Sequence, residues 1–334
     1  MRRILLTFLG GLLVSPATAA PLQYLTGSGQ KATPVTALTW GVLCISIAVI
    51  GIIGFCLAAA VWRRPGIAWR KGAEALLLPD EGGTNWLWIG VGLSIVALLV
   101  TVVWTVKVLA EISRPPAGPA ITIEVTGFQW WWQARYLSSQ SDRQFITANE
   151  IHIPVGQPVR LRLIGGDVIH SFWVPQLAGK MDAIPGQTNE TWIEAERPGI
   201  YSGQCTEYCG LQHAHMGLLV VADPPEQFAH WWTHQLAPPD PSSDQAQTGQ
   251  RAFQVHCASC HAVRGTEAAG TLGPDLSHMM ARRTLAAGTL PNTDSMRAHW
   301  ISDPQSVKPG ALMPAPAASA RELSAINAYL RSLD

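Results

Sequence analysis

From Ile121 onward, apolar and polar positions alternate: Ile121, Ile123 and Val125 share one face, and Val159, Leu161 and Leu163 share another with Arg160 and Arg162 between them. A period of two predicts half-buried strands. Shorter β-prone runs at 150–153, 190–193, 199–202 and 217–221, parted by Pro and Gly turns, extend the pattern to a sandwich or barrel of about 100 residues. The first third of the chain behaves differently. Residues 37–62 and 85–106 contain no charged side chain, and each is long enough at helical rise to cross a bilayer, which predicts two transmembrane helices. Past the strands, 224–236 predicts a short helix and a Pro/Ser-rich linker follows it. Residues 247–256 and 320–333 read as helices around a loop-rich middle. A helical domain of about 90 residues gains from a cofactor that completes its core.

Arg2 and Arg3, the apolar run from Ile4 to Val14 and the small residues Ala17, Ala19 and Ala20 form the pattern of a secretory signal over 1–20. Positive charge collects between the two spans at Arg63, Arg64, Arg70 and Lys71, which predicts a cytoplasmic loop and an outer location for everything after Glu111. With 23 basic and 23 acidic side chains the formal charge is zero, so no polybasic footprint argues for nucleic acid as a partner.

Cys44 and Cys56 lie inside the first span and read as small buried hydrophobes. The other four cysteines fall in exported segments, where paired thiols default to disulfides. Their neighbours argue otherwise. Cys205 and Cys209 share one short segment with His213 and Met216, and a disulfide would leave the imidazole and the thioether without a role. Thiolate, thioether and imidazole together make a soft-metal site that favours copper, and a zinc site would not normally recruit Met216. His215 has the wrong spacing and reads as non-ligating. Cys257-Ala-Ser-Cys260-His261 is the c-type haem attachment pattern, with no βαβ context for a redox dithiol. Met313, in Lys308-Pro-Gly-Ala-Leu-Met-Pro314, best fits a distal methionine, whereas Met279, Met280 and Met296 read as packing residues.

The Cys-x-Glu-x-Cys-x-x-x-His-x-x-Met segment resembles the dinuclear copper (CuA) loop of cytochrome c oxidase subunit II. Together with the haem motif, the resemblance is to subunits II with a fused cytochrome c, the caa3-type haem-copper oxidases. It implies a multidomain membrane protein: a two-helix transmembrane hairpin, an all-β cupredoxin-like sandwich and an all-α class I cytochrome c domain. The corresponding ranges are 1–20 signal peptide, 33–113 hairpin, 120–224 CuA domain, 225–246 helix and linker, and 247–334 cytochrome c domain.

By the same resemblance Cys205 and Cys209 bridge two coppers, with His170, His213, Met216 and the backbone carbonyl of Glu207 completing the set. The Glu207 carboxylate reaches a magnesium or manganese ion at the interface with subunit I, in a region that Asp182 helps organise. Trp130, in Gly127-Phe-Gln-Trp-Trp-Trp132, matches the tryptophan that passes electrons inward, and Phe128 stands where many relatives have histidine. Adjacent tryptophans cannot all face one way, so at least one is exposed or at an interface. Cys257 and Cys260 hold haem c, His261 and Met313 ligate its iron, and Phe253, Leu276, Trp300 and Leu330 wall it. Relatives often carry a proton-channel glutamate near the start of the second span, where Gly83 and Thr84 stand here with Glu81 the nearest acid.

The implied activity is electron entry to a proton-translocating oxidase of the bacterial inner membrane. Oxygen is reduced in subunit I, which holds haem a. Further implied partners are subunit III, a cytochrome c or bc-complex donor, and membrane lipid. A nitric oxide reductase subunit would share both cofactors, and a free-standing electron carrier or copper chaperone would need no catalytic partner.

Overall fold

The computed structural model describes residues 22–62, 85–115, 118–119, 121–241 and 243–334. The signal segment, the basic loop with Arg63, Arg64, Arg70 and Lys71, and the Glu81, Gly83 and Thr84 positions lie outside them. Helices α1 (Ala32–Trp62) and α2 (Asn85–Ile112) have mean hydropathies of 2.8 and 2.4 over their most apolar stretches, none of which is buried by the protein. An apolar surface exposed over this length is suited to lipid.

Strands β1 (Ile121–Phe128), β2 (Trp131–Leu137), β3 (Phe145–Ala148), β4 (Glu150–Pro154), β5 (Val159–Gly165), β6 (His170–Trp173), β7 (Met181–Ala183), β8 (Asn189–Ile193), β9 (Gly199–Cys205) and β10 (Gly217–Asp223) form two five-stranded sheets, ordered β3-β2-β1-β5-β8 and β4-β10-β9-β6-β7. The alternation explains the packing. Ile123 and Val125 lie beside Leu161 and Leu163 in the parallel β1/β5 register, and all four are fully buried. The core between the sheets also takes in Trp132, Tyr136, Ile151, Ile153 and Val220.

Helix α3 (Pro225–Leu236) closes one end of the sandwich, setting Trp231 and Trp232 edge-on to Tyr136 and Phe145. The sandwich is also tied to the hairpin at both roots. Ser28 N–H donates to the Gln176 carbonyl (2.8 Å) and the Ser28 carbonyl accepts from Glu196 N–H (2.9 Å), while the Trp192 indole N–H donates to the Ile112 carbonyl (3.1 Å).

The C-terminal lobe comprises α4 (Asp244–His256), the two-residue strands β11 (Thr284–Leu285) and β12 (Leu290–Pro291), α5 (Asp294–Ser302), α6 (Pro304–Val307) and α7 (Ala320–Arg331). Ser243 caps α4, and Ser319 with Glu322 forms a capping box on α7. The first and last of these helices cross in close contact. At Gly249 a Cβ would collide with the Ala325 carbonyl, so only glycine permits the approach. Around the crossing lie Phe253, Ile301, Ile326, Tyr329 and Leu330.

Candidate functional site

Two chain segments far apart in sequence meet at one end of the sandwich. Strand β6 begins at His170, β9 ends at Cys205, and the turn between β9 and β10 supplies Cys209, His213 and Met216. Cys205 and Cys209 Sγ lie 3.9 Å apart, His170 Nδ1 is 4.0 Å from Cys205 Sγ, and Cys209 Sγ is 3.5 Å from His213 Nδ1 and 3.8 Å from Met216 Sδ. The Glu207 carbonyl oxygen is 3.3 Å from Cys205 Sγ. His170, Cys205, Cys209 and Met216 are all buried members of the sandwich core, with His213 at its rim. His215 turns away and donates from Nδ1 to Gln212 Oε1 (2.7 Å).

Electrostatics define what this pocket accepts. Burial works against a charge on His170, but Cys205 and Asp167 outweigh it and raise its pKa. Burial also opposes a thiolate at Cys205, yet the His170 hydrogen bond brings its pKa down. Burial and the neighbouring Cys205 then push Cys209 up to about 12. Two thiolates this close cannot both carry charge unaided, and a bound cation relieves that conflict. The donor set therefore fits copper. Asp167 Oδ1 accepts from His170 Nε2 at 2.8 Å, fixing the ring so that Nδ1 faces the sulfurs. Sequence reasoning missed this carboxylate. Its only signal is its place three residues before His170.

Trp130 lies over the copper loop, 8% exposed, and its indole N–H donates to the Cys209 carbonyl at 3.0 Å. Trp132 is fully buried, while half-buried Trp131 stacks on Phe128 with ring centroids 5.0 Å apart, so the three tryptophans divide as the strand period requires. Near the same loop, Lys180 Nζ lies 3.2 Å from Asp182 and 3.9 Å from Glu207, and both carboxylates are partly exposed.

In the C-terminal lobe, Cys257 and Cys260 are free and half-buried, and burial together with Cys260 pushes Cys257 up to about 11. His261 Nδ1 donates to the Pro274 carbonyl at 2.8 Å, and burial lowers its pKa, so Nε2 presents a neutral lone pair. Phe253 and Leu330 are buried in the lobe core and Leu276 packs against it, whereas Trp300 is half-buried outside that cluster. Met279 belongs to the core, and Met280 Sδ accepts from Arg297 at 3.0 Å. Met313 is half-buried in the loop before α7. Arg282 Nε is buried and lacks a partner among the described residues. Free thiols beside a neutral imidazole, with a buried guanidinium nearby whose Nε has no partner among the described residues, fit a covalently held anionic haem.

The comparisons decide the family. Residues 134–223 match the model for cytochrome c oxidase subunit II, periplasmic domain, and residues 246–334 match that for cytochrome c. Cytochrome c oxidase subunit 2 of Alkalihalophilus pseudofirmus (strain OF4) is 36% identical over 297 residues, 86% of this chain and 83% of the relative. The chain belongs to the cytochrome c oxidase subunit 2 family. Subunit 2 of Bacillus subtilis (strain 168) is 30% identical and spans 99% of this chain and 97% of its own length. Among solved structures, the periplasmic domain of subunit II of cytochrome oxidase (CoxB) from Bradyrhizobium japonicum is 34% identical, covering 36% of this chain and 95% of its own, with a TM-score of 0.34. A subunit 2 chain is part of a haem-copper oxidase complex, and these two domains imply CuA copper and haem c.

Proposed function

We propose that this chain is the electron-entry subunit of a proton-pumping terminal oxidase in a bacterial inner membrane, with two spans and both exported domains on the periplasmic side. A donor cytochrome c or the bc complex delivers electrons to haem c, and subunit I receives them at haem a and reduces oxygen, with subunit III as a further partner. Copper held by two thiolates would supply a one-electron relay of low reorganisation cost, and a haem held by His and Met would supply a potential suited to accepting from a carrier.

The residues have distinct tasks in this reading. Cys205, Cys209, His170, His213, Met216 and the Glu207 carbonyl would hold the copper, and Asp167 would keep His170 in the ligating tautomer. Cys257 and Cys260 would tether the haem, and His261 and Met313 would hold its iron. Trp130 links the two sites through its bond to the Cys209 carbonyl. The exposed carboxylate of Glu207, beside Asp182, offers oxygen ligands to magnesium or manganese at the subunit I interface.

The observation that carries the reading is the set of two thiols, two imidazoles and a thioether within 4.0 Å neighbour contacts, buried except for His213 at the rim, on the same chain as a haem attachment motif. The test is copper and haem quantification on the full chain purified from membranes. Two coppers per haem with a delocalised mixed-valence resonance is expected; one copper, or a localised signal, overturns the reading.

A further inference from the structure

Lys308 opens the loop that carries Met313, yet its side chain leaves its own lobe and is only 3% exposed. Its Nζ donates to the carbonyls of Trp130 (2.7 Å), His215 (2.8 Å) and Ala286 (3.3 Å). An ammonium has three donors, so this set is complete with no carboxylate. Two of the acceptors belong to the turns that surround the copper ligands, and the third belongs to the haem lobe. Burying a cation is costly: burial pulls the pKa of Lys308 down to about 7, with Cys209 opposing the shift. A residue needed only to fill space would be apolar, so the charge and its three bonds call for a role.

The surrounding contacts supply one. Gln212 Nε2 donates to the Pro309 carbonyl at 2.8 Å, a second tie between the copper loop and the same segment. Gly310, at φ +84°, is laid against the Trp130 ring so closely that a Cβ would sit 3.7 Å from its Cη2 and 3.3 Å from Leu211 Cδ2. Gln305 braces the rest of the loop, donating to the Ala311 and Met313 carbonyls at 2.8 and 2.9 Å and accepting from Gly310 N–H at 2.9 Å. Contacts thus run without a break from the Met313 loop to the Trp130 indole, and from that indole to the Cys209 carbonyl.

We propose that Lys308 is a positioning residue for electron transfer within the chain, pinning the Met313 loop to the Trp130 turn and so setting the separation of haem and copper. This rests on the relay proposed above. The test uses the full chain carrying both cofactors: haem c is reduced by a flash-excited photoreductant, and oxidation of haem is followed together with reduction of copper.

Lys308→Met keeps the apolar stem and removes every donor. It is expected to retain the haem spectrum, the copper resonance and the rate at which an external donor reduces haem. Haem-to-copper transfer alone is expected to slow, since the rate falls as the separation of the two sites grows. If Lys308→Met loads poorly, Lys308→Gln is read in the same way, because its shorter amide cannot span all three carbonyls. An unchanged transfer rate in a fully loaded variant overturns the proposal. So does loss of both cofactors from both variants, which would make Lys308 a requirement of the fold. Absence of haem-to-copper transfer in the unaltered chain overturns the relay itself.

Discussion

The copper pocket and the haem pocket are built on opposite plans. The proposed copper donors come from two strand ends and the β9–β10 turn that the sandwich brings together, are buried except for half-buried His213, and already lie at mutual contact distance. The haem donors are mostly local: Cys257, Cys260 and His261 share one turn, both thiols are half-buried, and Met313 waits on a loop far along the chain. One set of donors stands in a packed sandwich core; the other belongs to a smaller lobe that gains more from what it binds. The expectation is that metal can be added to the first after folding, whereas cofactor attachment supports folding of the second.

The sharpest break of this contrast is to deny the lobe its haem. Replacing Cys257 and Cys260 with alanine is expected to destabilise the lobe while the sandwich melts as before, since the smaller lobe loses the group that completes its core. Limited proteolysis with a haem stain reads the outcome, and a resistant haem-free lobe would make the two sites alike.

A smaller effect falls on the copper side. Asp167→Asn should leave the sandwich folded but weaken copper binding by about 10–100-fold, because it loosens the orientation of His170. Competition against a chelator measures this; unchanged affinity would mean that packing alone aligns the ring.

The smallest expected effect concerns the sandwich away from either site. His152 donates from Nδ1 to Asp223 (2.6 Å) and lies 3.2 Å from Glu150, whose other oxygen accepts from Arg283 N–H of the haem lobe. Burial opposes its charge, but the two carboxylates outweigh burial and raise its pKa above the ordinary 6.5. The stabilisation it gives is therefore complete below 6.5 and is lost as pH rises through the raised value. Thermal melts across that range should show a decline that His152→Asn removes. An identical decline in the variant would place the titration elsewhere.

Much of this was legible before any coordinates. The period-two runs at 121–125 and 159–163 are strands, the two uncharged runs are helices, and the ligand spacings from Cys205 to Met216 and from Cys257 to His261 are local signals. What stayed hidden is non-local. Asp167 sits in a loop with no periodicity, and its value depends on where β6 brings His170. Strands β6 and β7 are too short to show a pattern. Lys308 reads in sequence as the start of a haem-loop motif; only the contact between domains shows that its side chain serves the copper turn. Gly249 carries no signal until two helices cross at it.

The ties at Ser28 and Trp192 grip the sandwich at both roots of the hairpin. A body held at two points, one just before α1 and one at the end of α2, resists swivelling, as a shelf on two brackets does where one on a single post would turn. Its heading relative to the bilayer is set once the helices are inserted. A membrane-embedded partner therefore meets the copper turn already aimed, and docking need not stop a rotation that the brackets have already prevented.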